Sequence, residues 1–276
     1  GVVRVTASRL EERGNPIATW FARVFGVDVV DVEAVAAAAV FDASAANCMK
    51  PWILPDGWLD ANVDGIYDSG ETYDPLTTGY GTEAGSDWRN TYFPENTGLD
   101  AFGTTYVEDV GRPIELKSGD PNEAMQPGWY YPWDIPQADG SPSVGGDKYR
   151  WNIANCNPSL IEIGDVYLTE NGNMIGPTKQ GVEELIAQDP DAYWDHNTQS
   201  VVSQYPVSPR VVYMPLFDPR VTIDPGKTEV TIHNIVGMFI EDMQGNTVIG
   251  RFLQVGGAGG GGTGPAAGLQ FARLVE

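Results

Sequence analysis

Residues 227–254 read KTEVTIHNIVGMFIEDMQGNTVIGRFLQ, and this stretch decides the fold class. Its apolar runs, Lys227 to Ile235, Met238 to Glu241 and Thr247 to Gln254, have the length and composition of successive β-strands. Arg210 to Met214 adds a strand before them and Leu269 to Val275 one after. The chain contains 33 Gly and 20 Pro among 276 residues. Both types interrupt helices and suit turns between short strands, so a mostly helical protein is excluded. The expectation is an α+β, β-rich fold: a mixed or sandwich-like sheet, a few short helices and a long loop-rich insertion.

Working outward, the first forty residues predict strand, helix, strand. Val2 to Ser8 is extended. Asn15-Pro16-Ile17 then supplies an N-cap and a first-turn proline, and Ile17, Trp20, Phe21, Val24 and Phe25 fall on one helical face before Gly26 stops the helix. Val27 to Val40 alternates Val30, Val32 and Ala34 against Asp31 and Glu33, as a half-buried strand does. A second helix is expected after Thr178, with Val182, Leu185 and Ile186 inward and Asp189-Pro190 ending it. Residues 48–150 show little periodicity, and Trp52, Trp58, Trp88, Trp129 and Trp133 there demand burial. The plan is one exported domain over 1–276: a strand-helix-strand start (1–47), a loop-rich region (48–150), then helix and C-terminal strands (151–276). Gly256 to Gly264 is followed by Pro265 and lacks the Lys-Ser or Lys-Thr pair of a phosphate loop, so it reads as a flexible connection.

Sixteen basic against thirty-eight acidic residues give a formal charge of −22. Such a chain repels phosphate backbones and anionic lipid surfaces, which excludes nucleic acid as a partner. No run approaches the roughly 20 apolar residues that span a bilayer. The chain opens without Met in a strand-like run, as a processed part of a longer precursor would. Cys48 and Cys156 are the two cysteines, and a disulfide between them is expected, pointing to an oxidising compartment outside the cytoplasm.

The strongest chemical signal is Asp60-Ala61-Asn62-Val63-Asp64-Gly65-Ile66-Tyr67-Asp68-Ser69-Gly70-Glu71. Oxygen donors stand at loop positions 1, 3, 5, 9 and 12, with glycine at the sharp turn. Calcium takes six to eight hard oxygens at about 2.3–2.6 Å, and a loop wrapped round the ion delivers them. Asp60, Asn62, Asp64 and Glu71 would bind through side chains, Ile66 through its carbonyl and Asp68 directly or through water. One copy of the loop indicates a structural ion, not a switch.

Other chemistry is poorly supplied. His196 and His233 are isolated, which leaves zinc without a ligand cluster and a Ser-His-Asp triad without support. Asp42-Ala43-Ser44-Ala45-Ala46 misses the last residue of an A-type adhesion motif. A glycosidase needs two carboxylates about 5–10 Å apart beside stacking aromatics, and Trp129-Tyr130-Tyr131-Pro132-Trp133 is the one aromatic run that would suit sugar. A carbohydrate-active hydrolase and a calcium-dependent glycan-binding adhesin are therefore the alternatives to a non-enzymatic structural protein.

Several pieces resemble the periplasmic part of TadE/TadG-like proteins of the tight-adherence (Flp) pilus assembly system. They are Val3-Arg4-Val5-Thr6-Ala7, Trp20 to Val27, Cys48-Met49-Lys50-Pro51-Trp52, Tyr149 to Ile153 leading to Cys156, Gly176-Pro177-Thr178 leading to Asp189-Pro190, Arg210-Val211-Val212, Gly250-Arg251-Phe252 and Arg273-Leu274-Val275. The resemblance implies an upstream membrane anchor, export, cell adhesion, and a structural or assembly role at the cell surface through protein partners or self-assembly.

Overall fold

The computed structural model describes residues 2–42, 45–58, 66–71, 73, 111, 113–126, 128–253, 255–256 and 269–275. They form two compact units, one of residues 1–41 and 271–276 and the other of residues 42–270.

In the first unit β1 (Val2–Arg9) pairs antiparallel with β4 (Val32–Asp42), Val5 opposite Ala36 and Arg9 opposite Val32. Between them β2 (Ile17–Ala18) pairs with β3 (Val29–Val30). The final strand of the chain, Leu269–Val275, lies beside β4 in the sheet order.

The helix predicted from Ile17 to Phe25 is not formed. Ile17–Ala18 is strand, and Ala22–Phe25 is a short 3-10 turn closed by Gly26 in the left-handed region at φ 79°. Its would-be inward face is exposed, Trp20 and Phe21 at 88 %, Phe25 at 87 % and Val24 at 84 %. Apolar spacing of 3.6 stabilises a helix only where a body receives that face, and none of the described side chains of residues 4–37 is buried.

The second unit is built on a mixed sheet. Its strands in chain order are β5 (Ala45–Ala46), β6 (Trp52–Pro55), β7 (Pro113–Ser118), β8 (Trp129–Pro132), β9 (Ile161–Glu162), β10 (Val166–Leu168), β11 (Tyr193–Asp195), β12 (Ser200–Val202), β13 (Val211–Phe217), β14 (Glu229–Gln244), β15 (Thr247–Leu253) and β16 (Val255–Gly256). Two α-helices are described, α1 (Gly145–Ala154) and α2 (Ile175–Ala187). The large sheet has the order β10-β14-β13-β6-β8-β7-β15, and β15 pairs back onto β14. Six of its seven strands thus close into a ring, which leaves β10 as an outlier on β14. The pairs β13–β6 and β7–β8 are parallel and the rest antiparallel.

Strand β14 is one continuous 16-residue strand where two shorter runs were expected, with a register shift between Ile240 and Asp242. It alternates at first, burying Val230 and Ile232, and is then buried on both faces. Val236, Met238 and Ile240 join the main core with Trp52, Leu54, Met214 and Phe252, while Phe239 packs with Ala192, Trp194 and Leu253. The main core also takes Tyr149 and Ile153 from α1 and Val182 and Leu185 from α2. The helices pack closely because position 181 is glycine: a Cβ there would lie 2.7 Å from Ile153 Cβ and 3.0 Å from the Arg150 carbonyl.

The region expected to be loop-rich supplies β6, β7 and β8 of this sheet. Strands β6 and β8 are short and almost wholly buried, so they lack the alternation that marks a half-exposed strand, whereas β7 alternates, burying Ile114 and Leu116 between exposed neighbours. No described helix is long and apolar enough to cross a membrane.

Candidate functional site

Asp60, Asn62 and Asp64, the first half of the expected calcium loop, lie outside the described residues. Ile66, Asp68 and Glu71 are described, Ile66 and Glu71 half-buried and Asp68 exposed. The Glu71 carboxylate accepts the Asp68 backbone N–H at 3.0 Å, and the Glu71 N–H donates to the Asp68 carbonyl at 3.0 Å. This turn brings loop positions 9 and 12 together. Among the described residues no three His, Cys, Asp or Glu gather as a metal site.

The segments on both sides of the loop are fastened to the same place. On the N-terminal side Asp56 is 3 % exposed, its N–H donates to the Phe217 carbonyl at 2.8 Å, and its Oδ1 accepts the Gly57 N–H at 2.9 Å. On the C-terminal side the Tyr73 hydroxyl donates to Asp56 Oδ2 at 3.1 Å and lies 3.4 Å from His233 Nδ1. Arg220 sits over the Tyr73 ring at 5.3 Å and forks onto Asp218, Nε to Oδ1 at 2.9 Å and Nη2 to Oδ2 at 2.7 Å. Within the segment the Tyr67 N–H donates to the Met125 carbonyl at 2.9 Å, and its ring meets Trp58 edge-on at 5.6 Å. A cavity of about 400 Å³, lined by Tyr67, Glu71, Met125, Tyr131 and Arg220 among others, opens beside this clamp.

Burial sets the electrostatics of the clamp. Desolvation raises Asp56 from 3.8 to about 7, against the lowering effect of its hydrogen bonds from Gly57 and Tyr73. Tyr73 is raised far above its ordinary value, first by burial and then by the Asp56 carboxylate. His233 is lowered by burial. A buried carboxyl held by a phenol fixes two backbone segments, whereas hydrolysis of a glycoside requires two carboxylates facing the substrate. The aromatic run that would stack on sugar forms β8 and the residue after it, with Tyr130, Tyr131 and Trp133 buried.

The expected disulfide is present between Cys48 and Cys156, which are 108 positions apart. Beside it lies a group that sequence reasoning missed. Lys50 is 2 % exposed, and its Nζ donates to the carbonyls of Asn152 at 3.3 Å and Asn155 at 2.9 Å, at the C-terminal end of α1. Burial lowers its pKa from 10.5 to about 7. The signal was available: a single charge inside Met49-Lys50-Pro51-Trp52-Ile53-Leu54 marks a buried lysine that needs acceptors. Arg210 was missed in the same way. Its guanidinium donates to the carbonyls of Asp189, Ala192, Ile240 and Glu241 at 2.5–3.0 Å and stacks on Phe239. Compared with protein-family models, with curated proteins and with solved structures, the chain matches none.

Proposed function

We propose that the chain is a non-enzymatic, extracytoplasmic structural or assembly protein of a surface appendage of the tight-adherence (Flp) pilus kind, stiffened by calcium in the Asp60–Glu71 loop. The observation that carries the assembly role is the first unit, which presents Trp20, Phe21, Val24 and Phe25 almost fully exposed. Apolar side chains in such a group mark a contact surface. The Cys48–Cys156 bond supports export, because disulfides persist in oxidising compartments.

The calcium reading rests on the loop's donor chemistry and its anchoring. Every proposed ligand is an oxygen: Asp60, Asn62, Asp64, Asp68 and Glu71 by side chain and Ile66 by carbonyl. The Asp56–Tyr73 clamp joins the flanks of the loop, so an ion there would fix a segment already tied at both ends. Chemically the ion would neutralise the loop's carboxylates and stiffen the backbone.

Titration calorimetry with calcium on the parent, Asp60→Ala and Glu71→Ala checks the site: heat in the parent that is lost in both variants is expected, and equal heats refute it. Deleting the gene in its host checks the role, with loss of the appendage expected. Turnover of any glycan in a hydrolase panel would overturn the non-enzymatic reading.

A further inference from the structure

The first unit differs from the rest of the chain in charge and in surface. Residues 1–41 carry Arg4, Arg9, Arg13 and Arg23 against Glu11, Glu12, Asp28, Asp31 and Glu33, and Arg273 and Glu276 cancel, so this unit holds −1 of the total −22. It also has an open edge. β1 ends the sheet order, and no strand among the described residues pairs with its outer side. Val5 is 60 % exposed, Val35 53 % and Val32 44 %, and Ala34 and Ala36 are exposed as well. A row of backbone donors and acceptors flanked by small apolar side chains accepts one kind of occupant, another extended strand.

We propose that this occupant is a second copy of the same chain, its β1 pairing antiparallel with this β1 about a two-fold axis at Val5. Charge selects the partner. Two copies repel each other over surfaces that share the remaining −21, and each offers the other one nearly neutral region, this unit. Sequence narrows the register. Centred on Val5, the pairing sets Val5 against Val5 of the second copy, Arg4 against Thr6, position 3 against Ala7 and position 2 against Ser8. Centring on Arg4 would oppose like charges. The contact is isologous and closes as a dimer. Charge also argues against the competing occupant of this face, an anionic lipid surface. The inference rests on the assembly role proposed above and narrows it to one partner. A chain that stays monomeric yet is required for the appendage would sink the self-association and leave that role standing.

The test uses the whole chain. Both native cysteines are bonded to each other, so Val5→Cys introduces the single free thiol. Mild oxidation is expected to give a covalent dimer of Val5→Cys on a non-reducing gel, and to leave Ser8→Cys uncrosslinked at the same protein concentration. Sedimentation equilibrium is expected to show a parent dimer whose Kd rises at least tenfold in Val5→Lys, an exposed substitution that leaves the fold intact by circular dichroism. A parent that stays monomeric at 100 μM, or equal crosslinking of the two cysteine variants, overturns the proposal. So does a parent that is monomeric in solution but sediments with phosphatidylcholine vesicles and loses that binding in Trp20→Ser/Phe21→Ser, which would assign the face to lipid.

Discussion

Replacing Asp56 with Asn isolates the electrostatic cost of the clamp beside the acidic loop. In the folded chain Asp56 keeps its proton up to about pH 7, while its ordinary value is 3.8. Between those limits the folded state binds more protons than the unfolded state, so the group's contribution to stability falls as pH rises through the window. A displacement of about three pH units corresponds to at most roughly 4 kcal/mol. Asn keeps an oxygen for the Gly57 N–H and offers an amide to the Tyr73 hydroxyl, but it does not titrate. Urea unfolding followed by the fluorescence of buried Trp52, Trp58 and Trp133, with chelator present and ionic strength fixed, gives stability at each pH. The difference, Asp56→Asn minus parent, is expected to climb by up to that amount from pH 4 to pH 7 and to level off above pH 8. The other acidic groups cancel in this difference. A difference that stays flat across the window would refute the reasoning, because Asp56 would then titrate alike in both states.

Two further outcomes follow from the neighbouring anchor. Cys48→Ser/Cys156→Ser opens a loop spanning 108 positions and should lower the unfolding free energy by about 4–5 kcal/mol in the chain-entropy model, read as a lower urea midpoint. An unchanged midpoint would contradict it. Lys50 has the opposite sign to Asp56: its folded value of about 7 lies below the ordinary 10.5, so the unfolded state binds the extra proton and stability rises with pH between the two. Lys50→Met should abolish that rise, and parallel parent and variant profiles from pH 7 to 10.5 would rule it out.

The sequence was legible where one face of an element meets water. Helix α2 buries Val182 and Leu185 and half-buries Ile186, as its spacing predicted, and β13 and β15 alternate over most of their length. It was illegible where both faces are covered. Strand β6 buries all of Trp52 to Pro55, and β14 is buried continuously from Asn234 to Ile240, so period 2 is lost and a single strand reads as two. The helix expected at Ile17 to Phe25 failed for the converse reason, because the spacing was right but none of the side chains of that stretch is buried. At the Asp60–Glu71 loop the residue types that suggest calcium were plain from the sequence. The Asp56–Tyr73 clamp beside it was not, since it joins residues 17 apart through a buried contact that leaves no local pattern.

The covalent link between positions 48 and 156 has a topological result. Every peptide bond from residue 49 to residue 155, including all those of the acidic loop, lies inside one closed ring of chain. A protease that cuts once in this stretch opens the ring without releasing a fragment. The nicked protein keeps its full mass until a reductant separates the two pieces, so a chain built this way tolerates one cleavage anywhere between the two cysteines.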